Sequence, residues 1–558
     1  MMRISSSTIF NSAVANMDQQ QVQLAKSQQQ VSTGLRMQTA ADDPVAAAQA
    51  LTVTQASATN KQYISNGNSA QNTLSLASSA LQNVTNLIQA VQSEAIQAGN
   101  GSYSNSDRST IATQLTSQLQ QLLGLANSTD GAGNYLFSGF QTRTQPFVNT
   151  PAGTGYFGDN GQRNVQVSAT QQIASSDPGA NVFMSIKNGN GTFATQAGTN
   201  SVTSGSNLGS GVISAGSVAN PPPTMPMPNY SVAFTVTPGA AGMPDVTTYT
   251  VTNTASVPTT APGIIAAVSS TATVASAAGL SVGSTIVIAG AGTAGPSTTA
   301  AATAAPATSA TLASVAGLMP GYSITLGGNP AATITGITGN TVTFSPATSV
   351  NTLATDPVTS VAPQTATITG IAGNVLTFTP ATTTATAAGA AITPVISTGT
   401  PYVSGQNISF AGVQFNIQGV PANGDTFSIT PSSNVSIFKT ISDLITTLNT
   451  PVDNSAPGGV NTSTSLANSL SYGLTNLGNA LNNILTVQSS LGSRLNEISS
   501  LQTTGSSLDL QYQKNLSQLQ SVDMTQAISN LAQQQTNLQA AQKSFATVSN
   551  LSLFSYLP

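Results

Sequence analysis

Two heptad seams interrupted by Gln, one near each end of the chain, constrain the fold more than any other feature. From the N-terminal side, Val14, Met17, Gln21, Leu24, Gln28, Val31 and Leu35 alternate in steps of three and four. This spacing keeps one face of a helix against a partner helix. Toward the other end, Met524, Ile528, Leu531, Gln535, Leu538, Gln542 and Phe545 follow the same alternation. A polar seam residue costs stability and can specify register or partner. Seams that share this defect are expected to pair with each other; the alternative is two separate bundle cores. Pairing would bring the two ends of the chain together and make everything between them an excursion from one helical body.

More helix lies inward of each seam. Asp43-Pro44 predicts a helix start, with a carboxylate cap followed by Pro at the first helical position. Asn66-Gly67-Asn68 is expected to break or bend that helix. An apolar stripe continues it at Leu74, Leu81, Val84, Ile88 and Val91. A turn cluster at 99–106 precedes another helix, capped by Ser106 or Asp107, with Ile111, Leu115, Leu119 and Leu122 on one face. On the C-terminal side a seam runs through Leu477, Leu481, Ile484, Gln488, Leu491, Leu495 and Ile498, and Thr503 to Ser507 reads as a loop.

The middle differs in kind. Residues 149–457 are rich in Thr, Val, Gly, Ala and Pro, and short β-like runs such as 232–236 and 247–251 replace the helical period. Two stretches recur. Residues 332–344 (ATITGITGNTVTF) return as 366–378 (ATITGIAGNVLTF), each a strand, a Gly-Asn turn and a strand. Residues 272–280 return as 310–318. Repeated β units imply an all-β module inserted into a helical host. A last β segment spans 408–429, with a turn or bulge at Ala411-Gly412, and the stretches 296–308 and 381–391 read as mobile linkers. The expected fold class is therefore α+β: a discontinuous helical coiled-coil or bundle domain from both termini, carrying inserted all-β outer domains. Its expected segments are 1–45 (disordered or coiled-coil export and assembly), 46–148 (bundle), 149–457 (outer β region), 458–520 (bundle) and 521–558 (coiled coil).

Composition narrows the function. The 558 residues suffice for about three or four domains, yet only 5% are charged, against about 25% in an ordinary soluble domain. The surface is instead Ser, Thr, Asn, Gln, Ala and Gly, which tolerates burial against copies of itself. There is no Cys, His or Trp, which removes disulfides, thiolate nucleophiles and the commonest general base and metal ligand. The net charge of −4 offers no field for nucleic acid. The N-terminus lacks the apolar core of a signal peptide, and no apolar run is long and pure enough for a membrane helix. Neither enzyme chemistry, cofactor, metal nor membrane insertion is expected. The few chemical candidates read as structural. Asp42 and Asp43 form a helix cap. The Gly-rich run 283–295 is a turn region without the Lys-Ser/Thr of a phosphate loop. Asp425 is a solvated turn residue with no second carboxylate to help hold calcium. Tyr135, Phe137, Phe140 and Phe147 pack a domain junction.

Taken in order, several motifs resemble one family. These are Arg3-Ile4-Ser5, Ser32-Thr33-Gly34-Leu35-Arg36, Ala41-Asp42-Asp43-Pro44-Val45-Ala46, Tyr135-Leu136-Phe137-Ser138-Gly139, Ser493-Arg494-Leu495-Asn496, and the ending Leu551-Ser552-Leu553-Phe554-Ser555-Tyr556-Leu557. Together they resemble the flagellin superfamily over about the first 150 and last 100 residues. Pro44 and the ending favour the hook-associated branch that joins hook to filament over flagellin itself; the long repeat-bearing insert departs from both. The resemblance implies a structural, flagellin-like motility protein. It would be secreted through the flagellar type III channel, without a cleaved hydrophobic signal, to the extracellular flagellum. It also implies partners: an export chaperone, the first hook-associated protein, flagellin, and copies of itself in a closed ring of about eleven. A filament subunit, and a secreted β-rich adhesin carried on the filament, are the alternatives.

Overall fold

The computed structural model describes residues 6–550 apart from 204, 238–243, 255–258, 264, 278–279, 281–283, 293–296, 316–317, 319–321, 328, 330, 339, 346, 355, 387–389 and 454–461. The opening Arg3-Ile4-Ser5 motif and the ending Leu551 to Leu557 therefore lie outside the described residues, as does part of the Gly-rich run 283–295. Two compact units form, one from Met1–Leu76, Arg163–Ser176 and Leu491–Pro558, the other from Ala77–Gln162 and Asp177–Ser490. The architecture is α+β, with helices at both ends of the chain and antiparallel strands between them.

In the first unit, α1 (Ser6–Thr33) lies antiparallel to α6 (Met524–Asn550). The Phe10 and Phe545 rings meet at 5.1 Å, and Leu35 forms a backbone bridge with Ser521. The two expected interruptions do not occur. Helix α2 (Pro44–Ala98) runs unbroken through Asn66-Gly67-Asn68, and α5 (Ser463–Gln520) runs unbroken through 503–507. Packing explains the difference. A Cβ on Gly67 would sit 3.5 Å from the Gln502 amide, and one on Gly505 would sit 3.0 Å from Ile64. The Asn60 side-chain amide donates to the Gly505 carbonyl at 2.7 Å, and the Gln502 amide donates to Asn68 at 2.8 Å. Gly505 lets the two helices approach closely, while Gly67 sits in ordinary contact with Gln502, and these contacts outweigh a glycine's helix cost of about 1 kcal/mol. The hairpin Asn164–Gln166/Gln172–Ala174 is tied to the same helices. Asn66 donates to the Gln166 carbonyl at 2.9 Å, and Gln171 donates to Glu497 at 2.6 Å.

In the second unit, the α2 stripe Leu81, Val84, Ile88 and Val91 is fully buried, with Ala95 and Ala98 extending it. Helix α3 (Asn105–Ala126) begins two residues earlier than expected. Ser104 is its N-cap and Asp107 completes a capping box, so neither Ser106 nor Asp107 is the cap. Helix α4 (Ile437–Asn449) lies inside the stretch read as β. It buries Ile437, Phe438, Ile441, Leu444 and Leu448. Phe438 completes an aromatic core, because Phe147 touches Tyr156, Phe183 and Phe438 with ring centroids 5.1–5.4 Å apart, and Phe137 meets Phe183 at 5.3 Å. Phe140, expected in this cluster, is 64% exposed. Its backbone N–H and that of Gln141 instead donate to the Asp159 carboxylate.

A ladder of amides joins irregular backbone to α5 in this unit. Asn468 accepts from the Ile213 N–H and donates to the Gly211 carbonyl, each at 3.0 Å. Asn476 accepts from the Gly189 N–H, Asn479 donates to the Lys187 and Gly189 carbonyls, and Asn483 donates to those of Asn181 and Val182. Each amide satisfies backbone groups of the short strands and turns that border α5.

The middle is antiparallel β. Strands Phe193–Ala197, Thr426–Pro431, Tyr230–Thr237 and Val246–Asn253 are neighbours in a ten-stranded sheet that continues outward through Ala391–Pro401. Phe193, Val232, Phe234, Phe427 and Ile429 form its core together with Phe415 and Ile417. The slip at Ala411-Gly412 is a two-residue hairpin turn with both φ positive, +46° and +80°, between Phe410 and its partner Val413. The stretches read as mobile linkers are, where described, hydrogen-bonded. Thr303 pairs with Thr352, and Thr382 and Thr386 are buried with their hydroxyls on backbone groups. A Thr hydroxyl can stand in for a sheet partner, which a count of Ala, Thr and Pro does not reveal.

Phe147→Ala should cost the second unit about 3–5 kcal/mol through the cavity it leaves. Urea unfolding followed by tyrosine fluorescence measures this, and a loss below about 1 kcal/mol would show that the five-ring cluster is not the anchor.

Candidate assembly interface at the helical ends

Among the described residues no group of three or more acidic, Cys or His side chains is placed to hold a metal, and no helix is long and apolar enough to cross a membrane. Asp425, read as a solvated turn residue, is fully buried. Its carboxylate accepts the N–H groups of Leu208 (2.7 Å), Ala422 (2.8 Å) and Gly209 (2.9 Å), and the Asn200 amide (2.9 Å). It organises loops and has no lone pair to spare for an ion. The surface with features beyond folding is the paired helical ends of the first unit.

There the seam differs in part from the expected one. Val14, Met17, Leu24, Val31, Leu531 and Phe545 are half-buried between α1 and α6, and Leu538 is buried. Gln21, Gln28, Leu35, Met524, Ile528, Gln535 and Gln542 are exposed. The inner face uses the neighbouring positions: Gln20, Ser27, Ala527, Gln534 and Ala541. The inward positions still step by three and four: Met17, Gln20, Leu24, Ser27 and Val31 on α1, and Ala527, Leu531, Gln534, Leu538, Ala541 and Phe545 on α6. The seam keeps its heptad period, and every second expected position lies one residue too far along the chain. The antiparallel register set by Phe10–Phe545 and Leu35–Ser521 brings Gln20 level with Gln534. The side-chain oxygen of each is buried without a hydrogen-bond partner. An unsatisfied buried acceptor costs about 1–3 kcal/mol.

The joint between α1 and α2 is a polar site, and it clasps the joint between α5 and α6. Lys26 pairs with Asp42 at 2.6 Å, and Arg36 pairs with Asp43 at 3.2 Å. Arg36 also donates to the Leu519 carbonyl (3.0 Å), and its backbone N–H donates to that of Gln520 (2.7 Å). The Val522 N–H returns to the Gly34 carbonyl at 2.9 Å. Asp43 caps α2, accepting the Ala46 N–H at 3.0 Å; this is the role read for it from Pro44. Asp42 accepts the N–H groups of Gln38 and Thr39 and so shapes the loop. The Lys26 ammonium, then the Thr39 and Gln38 N–H groups, hold the Asp42 carboxyl well below the usual carboxylate range. The Ala46 N–H, with Arg36, lowers that of Asp43.

Residues 4–142 match the bacterial flagellin N-terminal helical region. Flagellar hook-associated protein 3 of Salmonella typhimurium is 38% identical over 185 residues, covering 33% of this chain and 58% of that protein. The Escherichia coli protein of the same name is 36% identical over the same shares. Over residues 4–142 the chain is flagellin-like. The chain spans a little over half the length of these curated relatives. The flagellin-like fold extends further than the sequence likeness. Flagellar hook associated protein-3 from Legionella pneumophila has TM-score 0.52 at 23% identity, over 84% of this chain and 98% of that one. A FlgL from Xanthomonas campestris has TM-score 0.51 at 21% identity, over 83% and 99%. The α1 seam and the α1–α2 side of the clasp fall within residues 4–142.

Two outcomes are expected. Both aspartates have lowered pKa values, so their contribution is present above the unfolded carboxylate value of about 3.9 and is lost as pH falls below it. Asp42→Asn should therefore flatten the acid limb of the helical ends' stability between about pH 5 and 2, read by circular dichroism; an unchanged limb removes the clasp from the account. Gln20→Leu with Gln534→Leu should raise the melting temperature of the α1–α6 pair by relieving two unsatisfied acceptors; a lowered one would mean that both amides are satisfied in solution.

Proposed function

We propose that this flagellin-like chain is a structural subunit of the bacterial flagellum that joins the hook to the flagellin filament, and is not an enzyme. The observation that carries the proposal is the incomplete burial of the α1–α6 pair. Only Ser27, Ala527 and Leu538 are buried along the described part of it, while Phe10, Val22, Leu35, Met524 and Ile528 are 39–70% exposed. Two helices that leave such residues in water gain little from each other and much from further copies. The exposed half of the expected heptad (Gln21, Gln28, Leu35, Met524, Ile528, Gln535 and Gln542) is then the face between subunits, and the inner half holds the hairpin of one subunit.

On this reading about eleven copies close a ring through their helical ends, with the first hook-associated protein below and flagellin above. The low charge of the chain suits such packing, because few ionic groups have to be desolvated. Export through the flagellar type III channel, with a chaperone on the C-terminal helices, follows from the same role. Helices that gain their core only on assembly can be held unfolded beforehand.

Deleting the gene should leave hooks bare and shed flagellin into the medium, seen by electron microscopy and an assay of the supernatant. Normal filaments in that strain would defeat the proposal. Val22→Asp with Ile528→Asp should leave a folded monomer, with unchanged circular dichroism, that no longer restores filaments. If this variant restores them fully, the exposed face is not the subunit contact.

A further inference from the structure

The repeats in the β region belong to two complete copies of one six-strand unit, one copy lying inside the other. The inner copy consists of Thr298–Thr299, Ser309–Thr311, Ser323–Leu326, Ala332–Thr338, Thr341–Ser345 and Pro357–Val361. The outer copy consists of Thr259–Thr260, Thr271–Thr273, Thr285–Ile288, Gln364–Ala372, Val375–Thr379 and Ala391–Pro401. Taken in this order, the six strands pair identically in the two copies: second with fifth, fifth with fourth, fourth with third, third with sixth, and first with sixth. Both hairpins carry the same register shift, between Ile334 and Gly336 and between Ile368 and Gly370.

The correspondence reaches individual side chains. Each copy encloses its own apolar core, and most positions of the two cores correspond. Ala310, Leu312, Ile324, Leu326, Val342 and Phe344 stand where Ala272, Val274, Ile286, Ile288, Leu376 and Phe378 do. Buried threonines repeat as well. The Thr348 and Thr352 hydroxyls accept from the Ala307 and Thr303 N–H groups, as those of Thr382 and Thr386 accept from Ser269 and Ile265. At one place the copies differ informatively. The Asn329 side-chain oxygen accepts the N–H groups of Ser349 and Val350; in the outer copy the Ala291 backbone carbonyl accepts those of Thr383 and Thr384. The outer chain departs directly after this point, and the Gly292 N–H donates to the Ala362 carbonyl at 2.8 Å, closing the neck where the inner copy enters and leaves.

We infer that residues 292–363 are a second copy of the unit that surrounds them, inserted into its third-to-fourth-strand loop, and that each copy folds on its own core. The inner copy is therefore removable without loss of the outer one. The loop that carries it tolerates length, because its ends are fixed by a backbone hydrogen bond and loop closure costs rise only slowly with length.

The test is hydrogen exchange on the full chain and two variants. A chain lacking 292–363, which joins Ala291 to Gln364 as Asn329 joins Pro330, should keep the protection of amides in 285–288 and 366–378. Phe344→Asp in the full-length chain should abolish protection across 309–345 while leaving 366–378 within about twofold of the parent. Loss of protection in both copies from Phe344→Asp would show one cooperative core and overturn the inference. So would loss of protection at 366–378 in the deletion chain while Phe344→Asp left it intact.

Discussion

The close approach of α2 to α5 and of α1 to α6 is the constraint on which the first unit depends. A chain whose two ends must lie side by side has to return to its origin after more than three hundred residues. Here it returns through contacts that ordinary helix packing does not supply. Gly505 removes the side chain that would press on Ile64 and hold the helices apart. Arg36 then fastens one helix joint to the other through backbone carbonyls. Both devices act on the backbone, and the second uses one of the few charges in a chain of which only 5% is charged.

The same economy governs the second unit. Where a charged protein would use ion pairs to fix irregular loops, this one uses amides and hydroxyls: Asn468, Asn476, Asn479 and Asn483 on α5, and buried threonines in the β copies. A neutral side-chain hydrogen bond is worth about 1 kcal/mol, so such a scaffold depends on many of them in fixed register. Asp159 and the buried Asp425 are exceptions. A buried carboxylate is tolerable at Asp425 because four N–H groups converge on it.

Much of this was legible in the residues. The helical ends, the cap at Asp43, the buried stripe from Leu81 to Val91 and the two repeated hairpins all rest on local periodicity or turn chemistry. Such signals survive because they involve residues three, four or two apart. The failures share the opposite character. Asn66-Gly67-Asn68 and 503–507 read as breaks because their partners lie more than four hundred positions away. Helix α4 escaped notice inside a Thr-rich stretch because thirteen residues give only a brief helical period. Phe140 was grouped with Phe137 and Phe147 by proximity along the chain, although the Asp159 turn directs it outward.

The sequence by itself determined that both ends are helical seams, that the middle is largely strand, and that the middle contains a repeated unit, because each of these is written in short-range pattern. Only the tertiary structure decided which face of each seam is inward, that Gln20 and Gln534 occupy it in place of Gln21 and Gln535, and that one repeat is nested within the other. A shift of one position rotates a helical residue by about 100°. Nesting is a statement about which distant strands pair. Both are settled by contacts between segments far apart in the chain, and no local pattern encodes them.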